Sequence, residues 1–257
     1  MLIAALDTST LTLSCALCEL RSGEVTLVAG CSERTGARPG PEGPSGGHGG
    51  RLPGALSDLL AAAGRKLVEV EGYAIGLGPG SFTGLRIGLA TWKGLAYACR
   101  RPIAGASSLA ALALAAAPGA EEGALLVPLL DARKGEVYAG FYRVRGEAAV
   151  LAAPEAALAP AALALRLVEL GRAGERPVAL GEGLLAYAEA LAAVPRLAVE
   201  PAAPSALAVA RLCAPELAGA AHDRQRLYAL EPHYLRASEA EVKFPHGFGA
   251  GATKAGA

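Results

Sequence analysis

The residues best suited to chemistry are a carboxylate and three hydroxyls that follow the first apolar run of the chain. They are Asp7, Thr8, Ser9 and Thr10. A carboxylate followed by hydroxyl and backbone N–H groups in a tight turn suits a phosphate with the water shell of its magnesium ion. The same residue types are favoured in an ordinary hairpin corner, so both interpretations stay open.

A second carboxylate, Asp131, ends another apolar run and opens the segment DARKGEVY at residues 131–138. This segment predicts a turn between two strands. Its side chains Arg133, Glu136 and Tyr138 either line a cleft or solvate a hairpin, and the sequence favours neither.

A glycine-rich segment, GLGPGSFTGLRIG at residues 76–88, predicts a strand end, a turn and the start of a long helix. The helix predicted over Ser81–Cys99 contains Gly84, Gly88 and Gly94. Three helix-interior glycines cost about 2–3 kcal/mol relative to alanine, which close packing, a phosphate or a partner must offset. The acidic residue of a Rossmann fingerprint and the Gly-Lys-Ser/Thr of a P-loop are both missing, so neither site is predicted.

The same helix carries an apolar stripe at heptad-like spacing, and a second helix predicted over Leu52–Ala63 carries another. Two such helices with few charges would leave an apolar patch too large for a monomer. We therefore expect them to pair with the same helices of another subunit, unless the chain's own core covers them. The predicted interface residues are Leu52, Leu56, Leu59, Leu60, Phe82, Leu85, Arg86, Leu89, Trp92 and Lys93.

Composition and charge limit the function classes. The 257 residues are 53% hydrophobic, and 24 Lys and Arg balance 24 Asp and Glu. This balance argues against tight non-specific binding of nucleic acid by the chain alone. Asp7 interrupts the first apolar run too early for a signal peptide, and no apolar run approaches ~18 residues. We expect a cytoplasmic protein without membrane contact.

Neither cysteines nor histidines predict a site. Five cysteines are an odd number and suggest no disulfide framework. Cys15 and Cys18 lie three apart on a predicted strand, hence on opposite faces, so we interpret them as buried structural residues. The histidines stand apart, and Ser81 lacks both a nucleophile-elbow pattern and a placed histidine. We therefore expect no metal site and no catalytic residues.

The order strand–strand–strand–helix–strand–helix occurs twice, and each copy opens on a strand that ends in aspartate. Two like α/β halves facing each other leave a cleft, where we expect Asp7 and Asp131 to meet. The predicted units are an N-terminal subdomain over residues 1–106 with a flexible Gly/Pro loop at 35–50, a C-terminal subdomain over 107–236, and a disordered tail over 237–257.

Four segments occur in the order and approximate spacing typical of the TsaB (YeaZ) family, bacterial proteins of tRNA threonylcarbamoyladenosine biosynthesis. They are LDTST at 6–10, GPGSFTGLRIG at 78–88, DARKGEVY at 131–138 and PHYLR at 232–236. The second segment is highly specific, whereas the first is shared across the actin/hexokinase/Hsp70-like superfamily. The chain therefore resembles this family over residues 1–236. The resemblance implies a duplicated actin-like (ASKHA, ribonuclease H-like) α/β fold with two subdomains and a cleft between them.

For function, the resemblance implies a non-catalytic partner and activator of the paralogue TsaD. TsaD transfers the threonylcarbamoyl group to N6 of adenosine 37 in tRNAs that read codons beginning with A. Helices corresponding to Leu52–Ala63 and Ser81–Cys99 join the two proteins, the ATPase TsaE joins the complex, and TsaB alone forms homodimers. Contact with tRNA is then indirect, through the complex.

The resemblance leaves the cofactor open. ATP or ADP with magnesium is expected either at the cleft, where Asp7, Thr8, Ser9 and Thr10 would form a degenerate phosphate loop, or at the boundary with TsaD. The alternative function is a stand-alone ATP-dependent phosphotransferase that uses Asp7 and Asp131, or a peptidase-like enzyme of the same superfamily.

Overall fold

Two sheets, each with helices packed on both faces, make up the protein. The computed structural model describes residues 1–34, 48–171, 175–189 and 203–236. Because helices cover both faces of a sheet, its central strand is a continuous apolar run. The first strand, Leu2–Asp7, is accordingly buried at every position.

The first sheet has five strands in the order β3-β2-β1-β4-β5. They are β1 (Leu2–Asp7), β2 (Thr12–Arg21), β3 (Glu24–Arg34), β4 (Gly72–Gly76) and β5 (Ile103–Ala106). β1 pairs antiparallel with β2 and parallel with β4. Helices α1 (His48–Ala62) and α2 (Phe82–Cys99) cover one face of this sheet.

The second sheet repeats this order with four strands, β8-β7-β6-β9. They are β6 (Leu125–Arg133), β7 (Glu136–Arg145), β8 (Ala148–Leu158) and β9 (Val178–Leu180). Helix α3 (Ser108–Ala116) packs on one face, and α4 (Pro160–Leu170) packs on the other with the short α5 (Gly183–Ala186). The central strands β1 and β6 carry Asp7 and Asp131 at or near their ends.

The last two helices return to the first sheet. Helix α6 (Ala206–Leu217) covers its second face, where small side chains of the helix meet Ala5, Ala74 and Ala104 of the strands. Helix α7 (Arg224–Ala229) lies beside α2. The predicted boundary at residue 106 therefore separates the two sheets but not the helices. A helical pattern shows which face is apolar, but not which sheet will cover it.

The first sheet separates two of the cysteines. Cys15 belongs to the core beneath α1 and α2, and Cys18 belongs to the core beneath α6. Burial raises the pKa of both thiols. The two side chains thus lie on opposite faces and cannot share a ligand.

The strand that leads into the glycine-rich segment is β4. A 3-10 turn at Leu67–Glu69 precedes it, because the Glu69 carboxylate accepts the Lys66 N–H at 2.6 Å and stabilises the turn. One predicted element boundary is wrong. Helix α1 begins at His48, so residues 48–50 are helical and not part of the predicted loop. The rest of that loop, 35–47, and the predicted tail, 237–257, lie outside the described residues. In the described part of the chain, no helix has the length and hydropathy needed to span a bilayer.

Candidate functional site

The aspartate at the end of β1 is closed off by the chain itself. Asp7 is 1% exposed. Its Oδ1 accepts hydrogen bonds from the Ser9 N–H at 2.9 Å and the Ser9 hydroxyl at 2.6 Å, and its Oδ2 accepts one from the Ser108 hydroxyl at 2.6 Å. Ser108 begins α3, 101 residues further along the chain. Both carboxylate oxygens are therefore held by the chain's own serines.

The glycine-rich turn packs directly over this corner. The Ser81 N–H donates to the Ser9 carbonyl at 2.6 Å, and the Thr8 hydroxyl donates to the Gly84 carbonyl at 2.9 Å. A Cβ at Gly88 would lie 2.3 Å from the Thr8 hydroxyl oxygen, so only glycine lets α2 approach this closely. Close packing is thus what offsets the cost of Gly88.

A cavity of about 800 Å³ opens between the two halves. The β1–β2 corner and the start of α2 form one wall, and the β6–β7 turn and α5 form the other. Its lining includes Ser9, Thr10, Ser81, Phe82, Asp131, Arg133, Tyr138, Glu182, Tyr234 and Arg236. The cavity corresponds to the cleft expected between two like halves.

The structure separates the residues of the predicted phosphate loop. Ser9 and Thr10 line the cavity, whereas Asp7 and Thr8 are fully buried behind them. Asp131 does reach the cavity. The prediction that Asp7 and Asp131 meet in the cleft is therefore wrong, because α3 and the glycine turn enclose Asp7.

Asp131 has a more open and more charged environment. Its Oδ1 accepts hydrogen bonds from the Arg133 N–H at 2.8 Å and the Tyr187 hydroxyl at 3.2 Å. The Arg133 guanidinium lies 3.3 Å from Oδ2. Burial, together with repulsion by Asp131, raises the pKa of Glu182 on the same wall. This side of the cavity therefore carries two carboxylates that influence each other.

The β6–β7 turn resolves an alternative that the sequence left open. Arg133 and Tyr138 line the cavity. Glu136 instead pairs with Arg236 at 3.0 Å. The turn is thus part of the cleft wall, and one of its acids holds the C-terminal segment.

The segment at residues 231–236, which we call the strap, ties the two halves together. The His233 N–H donates to the Leu77 carbonyl at 2.7 Å, beside the first sheet. The Tyr234 ring stacks on Phe82 of α2 with ring centroids 5.6 Å apart. Arg236 reaches the second half through its pair with Glu136. In the sequence, PHYLR supported only the family resemblance and predicted none of these contacts.

A buried glutamate marks the point where the strap meets α3. The Glu155 side chain is 6% exposed, and its Oε1 accepts hydrogen bonds from the Ser107 and Tyr142 hydroxyls. Its Oε2 lies 3.4 Å from Nδ1 of His233. Burial and the neighbouring Glu155 raise the pKa of Tyr142, so the phenol stays protonated. Sequence reasoning missed this residue because its partners come from separate elements.

The apolar stripes of α1 and α2 form core, not an outward face. The Trp92 indole N–H donates to the Ala4 carbonyl of β1 at 3.0 Å. The chain's own sheet therefore covers the stripe, and the prediction that it faces another subunit is wrong for these side chains. Phe82, Arg86 and Lys93 do reach the surface. The buried members of the predicted interface are Leu52, Leu56, Leu59, Leu60, Leu85, Leu89 and Trp92.

The outer surface of the same two helices includes a row of small residues. We call the following exposed positions the small ridge: Gly54, Ser57 and Ala61 of α1, and Ala90, Gly94 and Ala98 of α2. A Cβ at Gly54 or Gly94 would meet no atom within 4 Å. Unlike Gly88, these two glycines are not required by the packing of the described residues.

Two like α/β subdomains around a cleft define an actin-like protein. A family model described as TsaD, tRNA N6-adenosine threonylcarbamoyltransferase, matches residues 39–244. The structure of YeaZ from Pseudomonas aeruginosa is similar to this chain with a TM-score of 0.71 and 32% identity, over 91% of this chain and 99% of that chain. The chain belongs to this family, in its TsaB (YeaZ) branch. The predicted fold and the family resemblance are confirmed.

Curated relatives match over shorter stretches. The tRNA threonylcarbamoyladenosine biosynthesis protein TsaB of Haemophilus influenzae is 37% identical over 136 residues, which cover 53% of this chain and 51% of the relative. TsaB of Escherichia coli is 39% identical over 97 residues, 37% of this chain and 41% of the relative. The chain thus spans about half or less of the length of these curated relatives.

Proposed function

We propose that the chain takes part in forming threonylcarbamoyladenosine in tRNA, as the partner and activator of a TsaD homologue. The observation that carries this proposal is the similarity to YeaZ, which covers 99% of that chain. In this role the chain does not itself transfer the threonylcarbamoyl group. Its partner transfers the threonylcarbamoyl group to N6 of adenosine 37 in tRNAs that read ANN codons. A cytoplasmic location follows from this role.

The closed Asp7 corner supports an auxiliary rather than a catalytic role. A phosphotransferase that uses Asp7 needs this carboxylate next to the hydrated metal of its nucleotide. Here Ser9 and Ser108 hold both oxygens, and exposing the carboxylate would break three buried hydrogen bonds. The stand-alone phosphotransferase or peptidase-like enzyme is therefore the second choice.

The small ridge supports an interface on α1 and α2. Glycine and alanine let two helices approach closely, because no side chain separates their backbones. Gly54 and Gly94 each lower helix stability, yet the fold does not need them. A partner helix that packs on the ridge would explain both. We assign this surface to the TsaD homologue, or to a second copy of the chain when the chain is alone. A TsaE homologue completes the assembly.

The cavity supports a revised nucleotide site. Arg133 and Arg236 supply positive charge for phosphates, and Phe82, Tyr138 and Tyr234 supply aromatic surface for a base. A nucleotide bound by this chain would then lie in the cavity without direct contact to Asp7. The boundary with the TsaD homologue remains the other place for ATP or ADP with magnesium.

Reconstitution tests the proposal. Unmodified tRNA is incubated with the TsaD and TsaE homologues, ATP and threonylcarbamoyl adenylate, with and without this chain, and modified adenosine is quantified by mass spectrometry. We expect modification to depend on the chain. Equal modification without it would overturn the proposal.

The interface is tested in the same system with Ala90→Arg on the small ridge and Ala161→Arg, an exposed position on α4, as the matched control. Ala90→Arg should weaken binding to the TsaD homologue at least ten-fold in calorimetry and leave the circular dichroism spectrum unchanged. Equal affinities for the two variants would exclude the small ridge as the interface with the TsaD homologue.

A further inference from the structure

Helices α2 and α7, with the residues next to their ends, present a surface of exposed and half-buried side chains that combines cations with aromatic rings. We call it the basic face and define it by Lys93, Tyr97, Arg100, Arg101, His222, Arg224 and Tyr228. Tyr97 is 43% exposed and Tyr228 is 63% exposed. Helix α2 contains no acidic residue along its 18 positions.

Direct contacts make this surface continuous. The Arg224 guanidinium donates to the Tyr97 hydroxyl at 3.1 Å and lies 5.2 Å from the centre of the ring. His222 meets the same ring edge-on at 6.4 Å, and its Nδ1 lies 3.2 Å from the Arg101 carbonyl. On the other side, the Lys93 ammonium donates to the Tyr228 carbonyl at 3.1 Å.

The cations of the basic face lack a close acidic partner in the part of the chain that the structure describes. None of Lys93, Arg100, Arg101 and Arg224 has a carboxylate within 4 Å there. Elsewhere on the surface, exposed arginines pair with acids, as in Arg21–Glu19, Arg51–Glu33, Arg145–Glu122 and Arg226–Glu216.

Two acids do lie nearby. Asp223 is engaged in capping α7, where its Oδ1 accepts the N–H groups of Gln225 and Arg226. Glu231 interacts electrostatically with Lys93. The face therefore keeps a net positive charge, although the whole chain is neutral.

Unpaired cations beside exposed rings fit a particular kind of partner. Phosphate groups pair with the cations, and an unstacked base stacks on a ring with little dependence on sequence. An acidic protein surface would use the cations but gain little from exposed tyrosines. The combination therefore favours RNA.

We propose that the basic face contacts the phosphate backbone and one unstacked base of the tRNA when the chain is bound to its TsaD homologue. This inference rests on the proposed function and changes one part of it, because the chain then touches tRNA directly. A few phosphate contacts give weak binding by the isolated chain, and the partner's own contacts raise the affinity of the complex.

The double variant Arg100→Asn, Arg224→Gln tests the cations. Arg100 has a φ of +51°, a left-handed conformation that asparagine adopts readily, and Arg224 is the exposed first residue of α7, so the fold should be kept. The probe is an unmodified, fluorescently labelled tRNA that reads an ANN codon. Its affinity for the complex is measured by anisotropy across a range of salt concentrations. We expect an affinity loss of about ten-fold or more near 0.1 M salt, and a salt slope smaller by about 1.5–2 because two phosphate contacts are lost.

A control with the same change of charge is Arg21→Gln, Arg145→Gln, which removes two exposed arginines outside the basic face. It should change the affinity less than two-fold. An unchanged salt slope in the first variant, or equal losses in both, would overturn the inference. A loss of binding to the TsaD homologue would assign the basic face to that protein interface instead. If the unaltered chain fails to bind the TsaD homologue, the proposed function fails before tRNA is added.

Tyr228 tests the stacking contact separately. Tyr228→Ala removes the ring, whereas Tyr228→Phe keeps it and removes only the hydroxyl. We expect Tyr228→Ala to lower tRNA affinity about five-fold or more, and Tyr228→Phe to retain it. Equal affinities for the two variants would exclude a stacked base at this position.

Discussion

Asp7 and Asp131 occupy corresponding positions on the central strands of the two sheets, yet their surroundings differ. Asp7 is enclosed by Ser9, Ser108 and the glycine turn, and it is 1% exposed. The Asp131 side chain is 18% exposed, faces the cavity, and pairs with the exposed guanidinium of Arg133. The same topology therefore supports a structural carboxylate in one half and an accessible, charged corner in the other.

The largest expected effect is a difference in the free energy of unfolding between the Asp7 and Asp131 variants. Asp7→Ala removes three buried hydrogen bonds and leaves two serine hydroxyls without their acceptor, so we expect a loss of about 3–5 kcal/mol in the free energy of unfolding. Asp131→Ala, the matched change in the other half, should cost less than about 1 kcal/mol because its ion-pair partner Arg133 is exposed to solvent. Urea denaturation measures both, and similar costs would contradict the contrast.

A smaller expected effect tests the close packing of α2 against the turn that follows Asp7. Gly88→Ala places a methyl group against Thr8 and should destabilise the isolated chain by about 1–3 kcal/mol. Gly94→Ala, on the same helix, meets open space and should stabilise it by up to about 1 kcal/mol. Thermal unfolding of the two variants gives the comparison. If Gly94→Ala also destabilises the chain, the surface at Gly94 is not free.

The smallest expected effect is a change in how the free energy of unfolding depends on pH, through Glu182 near Asp131. Burial and Asp131 raise the pKa of Glu182 above its ordinary value of 4.5, so the folded state binds this proton more tightly than the unfolded chain does. The contribution of Glu182 to stability therefore falls as the pH rises from 4.5 through the folded-state pKa. Glu182→Gln should flatten the profile of unfolding free energy in that window, and Glu147→Gln, at an exposed position, should not. Identical profiles for the two variants would contradict the raised pKa of Glu182.

Local patterns in the sequence predicted the elements well. The helix predicted over Ser81–Cys99 corresponds to α2, whose N-cap is Ser81, because a glycine turn precedes an apolar stripe of helical period. The doubled order of elements predicted two similar halves with a cleft. Helix α7 was missed because its six residues are too few to show a helical period.

Long-range contacts could not be predicted in this way. Nothing near Asp7 in sequence indicates Ser108, and the strap meets Leu77 and Glu136 from the far end of the chain. The stripe containing Leu85, Leu89 and Trp92 was correctly recognised as apolar. Its period, however, is the same whether the covering surface is a second subunit or the chain's own sheet.

The position of α6 late in the chain delays the folding of the first sheet during protein synthesis. Strands β1 and β4 emerge from the ribosome early, but the alanine-rich face that they share is covered only when Ala206–Leu217 has been made. About 100 residues separate the end of β5 from the start of α6. At typical translation rates the first sheet waits roughly 5–20 s with one apolar face exposed. The nascent first half is thus a candidate client for chaperones at the ribosome.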